Sequence, residues 1–211
     1  MRLAVASKCL GGQEILKDIA FDLVPGGITA LCGPSGVGKT TLLRIAAGLD
    51  RDYRGPPPPA LRVGMMFQEP RLFPWLTAFD NIAVVGNGAA ARADGLLQQA
   101  GLAAAARLYP RQLSLGMARR VALARAVAVE PELLLLDEPF ASLDKTAAAA
   151  MADLIRNVSL RHGTAILMVT HDPADAALAQ RVVVLGGRPA SIVSDQQYPG
   201  ASAPGVARSG S

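Results

Sequence analysis

The chain has 211 residues, of which 51% are hydrophobic and only 4% aromatic, and its formal net charge is +4. This length predicts one domain, or one domain with a small subdomain. No apolar stretch approaches the roughly 18 residues that span a bilayer, and the pattern of the first residues predicts a strand and not a secretory signal. The two cysteines fit no disulfide framework or metal site, which favours a reducing cytoplasm, and the scattered arginines predict no nucleic-acid partner.

The N-terminal part predicts short strands. Residues 3–7 and 19–23 lie on either side of Gly11-Gly12 and predict an antiparallel β element. Pro25-Gly26-Gly27 then forms a turn into the apolar run Ile28–Cys32, which is typical of a buried strand.

A phosphate-binding loop follows this strand directly. Its glycines allow successive backbone N–H groups to face a polyphosphate at the start of a helix. Lys39 is placed to neutralise the β- and γ-phosphates, and the Thr40 hydroxyl is a candidate Mg²⁺ ligand. The complete loop, with all nine residues predicted to bind the nucleotide, reads Gly33, Pro34, Ser35, Gly36, Val37, Gly38, Lys39, Thr40 and Thr41.

The middle of the chain predicts a helical subdomain. Gly55 and four prolines after it form a connector, because such a run fits neither a helix nor a central strand. Residues 62–67 predict a strand that ends at Gln68, and Glu69-Pro70 terminates it. From residue 71 to about residue 128 the pattern is helical and rich in alanine, and Ser114 is the predicted N-cap of the last helix.

The C-terminal part alternates strands with helices. Strands are predicted at residues 133–136, 165–169 and 182–185, and helices at about 144–160 and 175–180. This alternation predicts a parallel sheet that is covered on both faces. The domain is expected to span residues 1–195, and the Ser-, Gly-, Ala- and Pro-rich residues 196–211 predict a disordered tail.

Four polar side chains follow predicted strands, at the edge where an open parallel sheet places its ligands. Asp137 is a candidate to hold Mg²⁺ through water, and Glu138 to polarise the attacking water. Gln68 is a candidate to orient water or to contact the metal, and His171 to reach the γ-phosphate. Each residue also has a structural interpretation: an acidic helix N-terminus for the carboxylates, a surface amide for Gln68 and a structural strand-end histidine for His171.

Together these motifs resemble the nucleotide-binding subunit of ABC transporters over residues 3–193. The phosphate loop is similar to the Walker A motif of that family, residues 133–138 to its Walker B with the catalytic glutamate, Gln68 to its Q-loop, residues 142–144 to its D-loop and His171 to its switch histidine. The segment Leu113-Ser114-Leu115-Gly116-Met117 stands at the position of the LSGGQ signature, before a helix that contains Arg119, Arg120 and Arg125.

The resemblance implies an α/β fold of the P-loop NTPase type, with a RecA-like parallel sheet core, a trimmed N-terminal antiparallel β subdomain and a small α-helical signature subdomain. It also implies ATP and Mg²⁺ as cofactors, with ATP hydrolysis coupled to import. A second copy of the chain would pair head to tail, so that Ser114 and Gly116 of one subunit cover the ATP of the other. Permease subunits would hold the pair peripherally at the cytoplasmic face of the inner membrane, and a periplasmic substrate-binding protein would act indirectly.

Four short matches are similar to the nitrate, sulfonate and taurine importer branch: residues 71–75, Met117, residues 187–189 and residues 192–193.

The chain also departs from the family. Cys9-Leu10 stands where an aromatic residue stacks on adenine, so base selectivity should be loose. Leu115 replaces a signature glycine, and the proline run replaces a β hairpin.

Two alternatives remain open. Leu10 and Leu115 are compatible with a degenerate subunit that binds ATP as a regulatory element, although Lys39, Asp137, Glu138 and His171 argue for a motor. A soluble ABC ATPase acting on DNA or ribosomes is the other, although the chain has no long coiled-coil insertion and no second cassette.

The apolar residues 73–76 predict either a docking groove for a permease helix or, at Trp75, a core position.

Overall fold

A sheet of six strands organises the protein, which we describe from a computed structural model that covers residues 1–58, 60–86 and 88–198, without the side chains of residues 161 and 162. The strands are β1 (Arg2–Leu10), β2 (Gln13–Asp22), β3 (Ile28–Cys32), β4 (Val63–Met66), β5 (Leu133–Asp137), β6 (Ala165–Val169), β7 (Arg181–Gly186) and β8 (Ser191–Gln197). The helices are α1 (Lys39–Ala46), α2 (Ala78–Ala83), α3 (Ala89–Gln99), α4 (Leu115–Val127), α5 (Lys145–His162) and α6 (Pro173–Ala176).

The order of strands in the large sheet is β4-β5-β6-β3-β7-β8. All neighbours pair in parallel except β8, which is antiparallel to β7. Every residue of β5 and β6 is buried, because these strands have neighbours on both sides and packed layers on both faces. The predicted α/β fold with a parallel sheet is therefore confirmed, and β3, β5 and β6 end at one edge of the sheet.

Two hydrophobic cores lie on opposite faces of this sheet. One is formed with helices α2 to α5, and it includes Leu97, Leu123 and Ile155. The other is formed with α1 and with the β1–β2 hairpin, and it includes Leu16 and Leu43. Each face of the sheet is thus covered by its own apolar layer, which holds the strand ends in fixed positions. Among the described residues, no helix combines the length and the apolar composition needed to cross a bilayer.

The N-terminal β element is a hairpin of two strands, both longer than predicted. The segment after α1 joins its edge, because the backbone N–H of Arg54 donates to the Ser7 carbonyl over 2.8 Å. Lys8, which is buried, donates to Asp50 over 2.9 Å, and this ion pair anchors the connector. The last proline of the predicted connector, Pro59, lies outside the described residues.

Two predictions at the C-terminal end are wrong. The helix predicted at residues 175–180 is the four-residue α6, because Asp172 caps it and Pro173 occupies its first position. Residues 196 and 197, predicted as tail, belong to β8, a strand that the sequence pattern did not indicate because its residues are mostly polar and exposed. The pair between Arg181 and Asp195, 2.6 Å apart, holds β8 on β7. Residues 199–211 of the predicted disordered tail lie outside the described residues.

Candidate phosphate-binding and hydrolytic site

The phosphate loop connects the end of β3 to the start of α1. Gly33 has φ +142°, and a Cβ there would lie 2.5 Å from the Leu185 carbonyl oxygen, so only glycine fits. Among the described residues no side chain caps α1, and its first N–H groups are therefore available to an anion. The ammonium group of Lys39 lies over the loop and donates to the carbonyls of Gly33 and Pro34 over 2.7 and 2.9 Å.

Thr40 and Asp137 meet at the sheet edge although 97 residues separate them in sequence. The Thr40 hydroxyl donates to Oδ1 of Asp137 over 3.3 Å. Asp137 is buried, and this burial raises the pKa of its carboxyl group, with a further rise from the charge of Glu138. The hydroxyl and carboxylate oxygens are hard ligands of the kind that Mg²⁺ prefers.

Glu138 is the centre of a second cluster. Its backbone N–H donates to the Val169 carbonyl over 3.0 Å, and its φ is +49°. The Gln68 side-chain amide donates to Oε2 of Glu138 over 3.3 Å, and Nδ1 of His171 lies 3.2 Å from Oε1. The structure thus brings together the three side chains that the sequence predicts to be catalytic, from the ends of β4, β5 and β6.

The signature segment lies at the start of α4. The Ser114 side chain accepts a hydrogen bond from the backbone N–H of Met117 over 3.2 Å, so the predicted N-cap is confirmed. Ser114 and Gly116 make their other hydrogen bonds within α4 and its subdomain: the Ser114 carbonyl accepts from Ala118, and the Gly116 carbonyl from Arg120. Leu115 is the first residue of the helix and is half exposed, so its side chain is not packed in the core.

The contacts made by the α4 arginines were not predicted from the sequence. Arg119 donates to the backbone carbonyl of Gln68 over 3.3 Å, and Arg125 donates to the carbonyls of Pro70 and Arg71 over 2.9 and 2.8 Å. Their only signal in the sequence was a cluster of arginines after the signature, since nothing local indicates which loop they contact.

An aromatic patch lies on the surface close to this loop. Phe73 and Trp75 are 40% and 69% exposed, and their ring centroids are 5.4 Å apart. The interpretation of Trp75 as a core residue is therefore wrong. The buried Asn81 side chain orders the segment, because it accepts from the Phe73 N–H over 2.8 Å and donates to the Phe73 carbonyl over 3.1 Å.

Leu10, at the predicted adenine position, is 65% exposed beside the β1–β2 turn.

Comparison with known proteins places these features in a family. Residues 16–141 match the family model described as ABC transporter. The chain is 42% identical to the aliphatic sulfonates import ATP-binding protein SsuB 1 of Xanthomonas axonopodis pv. citri (strain 306), over 93% of this chain and 85% of that protein. It is 43% identical to SsuB 2 of Burkholderia cenocepacia (strain HI2424), over 92% of this chain and 77% of that protein.

Solved structures agree with these matches. The ATP-binding cassette MJ0796, in a dimeric post-hydrolysis state bound to ADP and Pi, is 27% identical with a TM-score of 0.82, over 95% of this chain and all of that one. A second dimeric structure of MJ0796, described as a bacterial ABC transporter cassette, is 26% identical with a TM-score of 0.80. Because the family model and these relatives match most of its length, this chain belongs to the ABC transporter family.

Proposed function

We propose that the chain is the ATP-binding and ATP-hydrolysing subunit of an importer, and that the imported solute is an aliphatic sulfonate. The observation that carries the hydrolytic role is the Glu138 carboxylate at the end of a buried strand, with Gln68 on one oxygen and His171 beside the other. The names of relatives that are 42–43% identical support both the import role and the solute class.

ATP binds through the phosphate loop in this proposal. The N–H groups at the start of α1 face the phosphates, and Lys39 exchanges the carbonyls of Gly33 and Pro34 for β- and γ-phosphate oxygens. Thr40 and Asp137 would hold Mg²⁺, since their oxygens already converge and are hard ligands of the kind that Mg²⁺ prefers. The Gln68 amide oxygen is a further candidate ligand. When bound, Mg²⁺ neutralises charge on the phosphate oxygens during phosphoryl transfer.

Glu138 is the proposed general base. Its carboxylate accepts a proton from the water that attacks the γ-phosphate, while the Gln68 amide holds the carboxylate in place. His171, 61% exposed at its side chain, is free to turn toward the γ-phosphate while remaining close to Glu138. These side chains come from three different strand ends, so the geometry of the sheet sets the distances among them.

The working unit in this proposal contains two copies of the chain and permease subunits. Dimeric structures of a related cassette support the pairing of two copies. In the head-to-tail arrangement that we propose, Ser114 and Gly116 of one copy approach the phosphate loop of the other. The exposed patch of Phe73 and Trp75 is the proposed contact for a permease helix, because exposed aromatic rings are favoured anchors at interfaces. The chain then acts peripherally at the cytoplasmic face of the inner membrane, and a periplasmic binding protein delivers the solute.

A regulatory subunit without hydrolysis is the second candidate, and the exposed Leu115 in the signature favours it. We prefer the motor because the cluster around Glu138 is complete. The deciding experiment is Glu138→Gln in the chain assembled with permease subunits. We expect ATP binding to be retained and turnover to fall on the order of 10²–10⁴-fold, as for loss of a positioned base. Lys39→Ala is the contrasting variant and should weaken ATP binding itself. Hydrolysis by Glu138→Gln at the wild-type rate would show that Glu138 is not the base.

A further inference from the structure

Helix α4 holds the loop that follows β4 through two arginines. Arg125 donates from Nη2 to the Pro70 carbonyl and from Nη1 to the Arg71 carbonyl, and both contacts are of normal length. Arg119, six residues earlier, reaches the same loop and donates from Nη2 to the Gln68 carbonyl over 3.3 Å. The backbone that carries the Gln68 side chain is thus attached to the helix that begins at the signature.

Arg119 differs from Arg125 in how well its donors are satisfied. Arg119 is only 6% exposed, and its Nε and Nη1 have no hydrogen-bond partner in the part of the chain that the structure describes. Burial lowers the pKa of this guanidinium group, and the nearby charge of Glu138 opposes that effect. A buried cation with unsatisfied N–H groups is unfavourable for the free energy of folding. Stability therefore does not explain why an arginine occupies this position.

We infer that Arg119 is a positioning residue for ATP hydrolysis: it fixes the Gln68 backbone so that the Gln68 amide stays on the Glu138 carboxylate. This inference rests on the proposed role of Glu138 as the base. Since Arg119 lies on α4, any shift of the signature helix is passed to Gln68, and from Gln68 to Glu138.

The test uses Arg119→Met in the full-length chain assembled with permease subunits and supplied with MgATP. Methionine is unbranched and replaces the apolar stem of the arginine side chain, but it lacks the charge and the N–H donors. We expect kcat to fall about tenfold, which corresponds to the free energy of one hydrogen bond to a charged group. KM for ATP should change less than about twofold, because Arg119 contacts the Gln68 backbone and not the phosphate loop. The melting temperature should stay the same or rise, because an unsatisfied buried cation is removed.

Three further variants give the test its specificity. Arg119→Lys keeps the charge and a donor and should recover part of the lost kcat. In a Gln68→Ala background, Arg119→Met should lower kcat less than about twofold, because the two residues act through one path. Arg156→Met is the matched control: it removes an exposed guanidinium that pairs with Asp153 on α5, and it should leave kcat unchanged.

Several results would overturn the inference. A lower melting temperature with an unchanged kcat for Arg119→Met would make the residue structural, and an undiminished effect in the Gln68→Ala background would exclude action through Gln68. If Glu138→Gln hydrolysed ATP at the wild-type rate, Glu138 would not be the general base, and the inferred role of Arg119 would be refuted with it. Wild-type hydrolysis by Arg119→Met beside an inactive Glu138→Gln would refute the Arg119 inference alone.

Discussion

Replacing Gly33 by alanine tests how the phosphate loop is packed. The residue has φ +142°, and a Cβ there would lie 2.5 Å from the carbonyl oxygen of Leu185 and 3.2 Å from Cγ1 of Val37. Leu185 belongs to β7, which is paired on both sides, so its backbone oxygen has little room to move. The backbone strain costs about 1–3 kcal/mol and the forced contact about 1–3 kcal/mol more, a total of roughly 2–6 kcal/mol.

Gly36→Ala is the matched control in the same loop. Gly36 also has a positive φ, +75°, but no heavy atom in the described part of the chain lies within 4 Å of a Cβ built there. This variant carries the backbone strain without the clash. The two variants should therefore differ by about 1–3 kcal/mol in the free energy of unfolding, which corresponds to roughly 2–12 °C in melting temperature for a chain of this size.

The measurement is thermal unfolding of the full-length chain without nucleotide, followed by circular dichroism. We expect Gly33→Ala to unfold first, Gly36→Ala next and the wild type last. If the two variants unfolded within about 1 °C of each other, the contact between position 33 and Leu185 would not constrain the loop, and the reasoning would be refuted.

Two further predictions concern surfaces. Trp75→Ala should leave the melting temperature of the isolated chain unchanged, since the ring is 69% exposed, but should abolish co-purification with the permease; retained binding would exclude this patch as the docking contact. Leu115→Gly should change the ATPase rate only modestly, because Leu115 occupies the first turn of α4, where its N–H remains available to an anion while its side chain points outward. A large gain in dimerisation and hydrolysis would instead show that Leu115 obstructs closure and would favour the regulatory subunit.

Local sequence chemistry was sufficient for the elements whose signals lie within a few residues. The phosphate loop follows from its glycines, lysine and threonine after an apolar strand, and the start of α4 follows from Ser114, whose oxygen binds an N–H three residues later. The strands β5 and β6 could be predicted from their apolar runs, because strands covered on both faces consist of apolar residues. The edge strand β8 gave no such signal, since its polar residues face solvent.

The sequence by itself determined which residues carry phosphate-binding and acid–base chemistry, because residue type and local spacing are sufficient for that. Only the tertiary structure decided their contacts, because the strand order β5-β6-β3 differs from the order along the chain. That order brings Thr40 to Asp137 and His171 to Glu138. The exposure of Trp75, likewise, is visible only in the folded chain. The contact of Arg119 with Gln68 has the same origin: it joins residues 51 positions apart, and side-chain contacts over such separations depend on how the helices pack on the sheet.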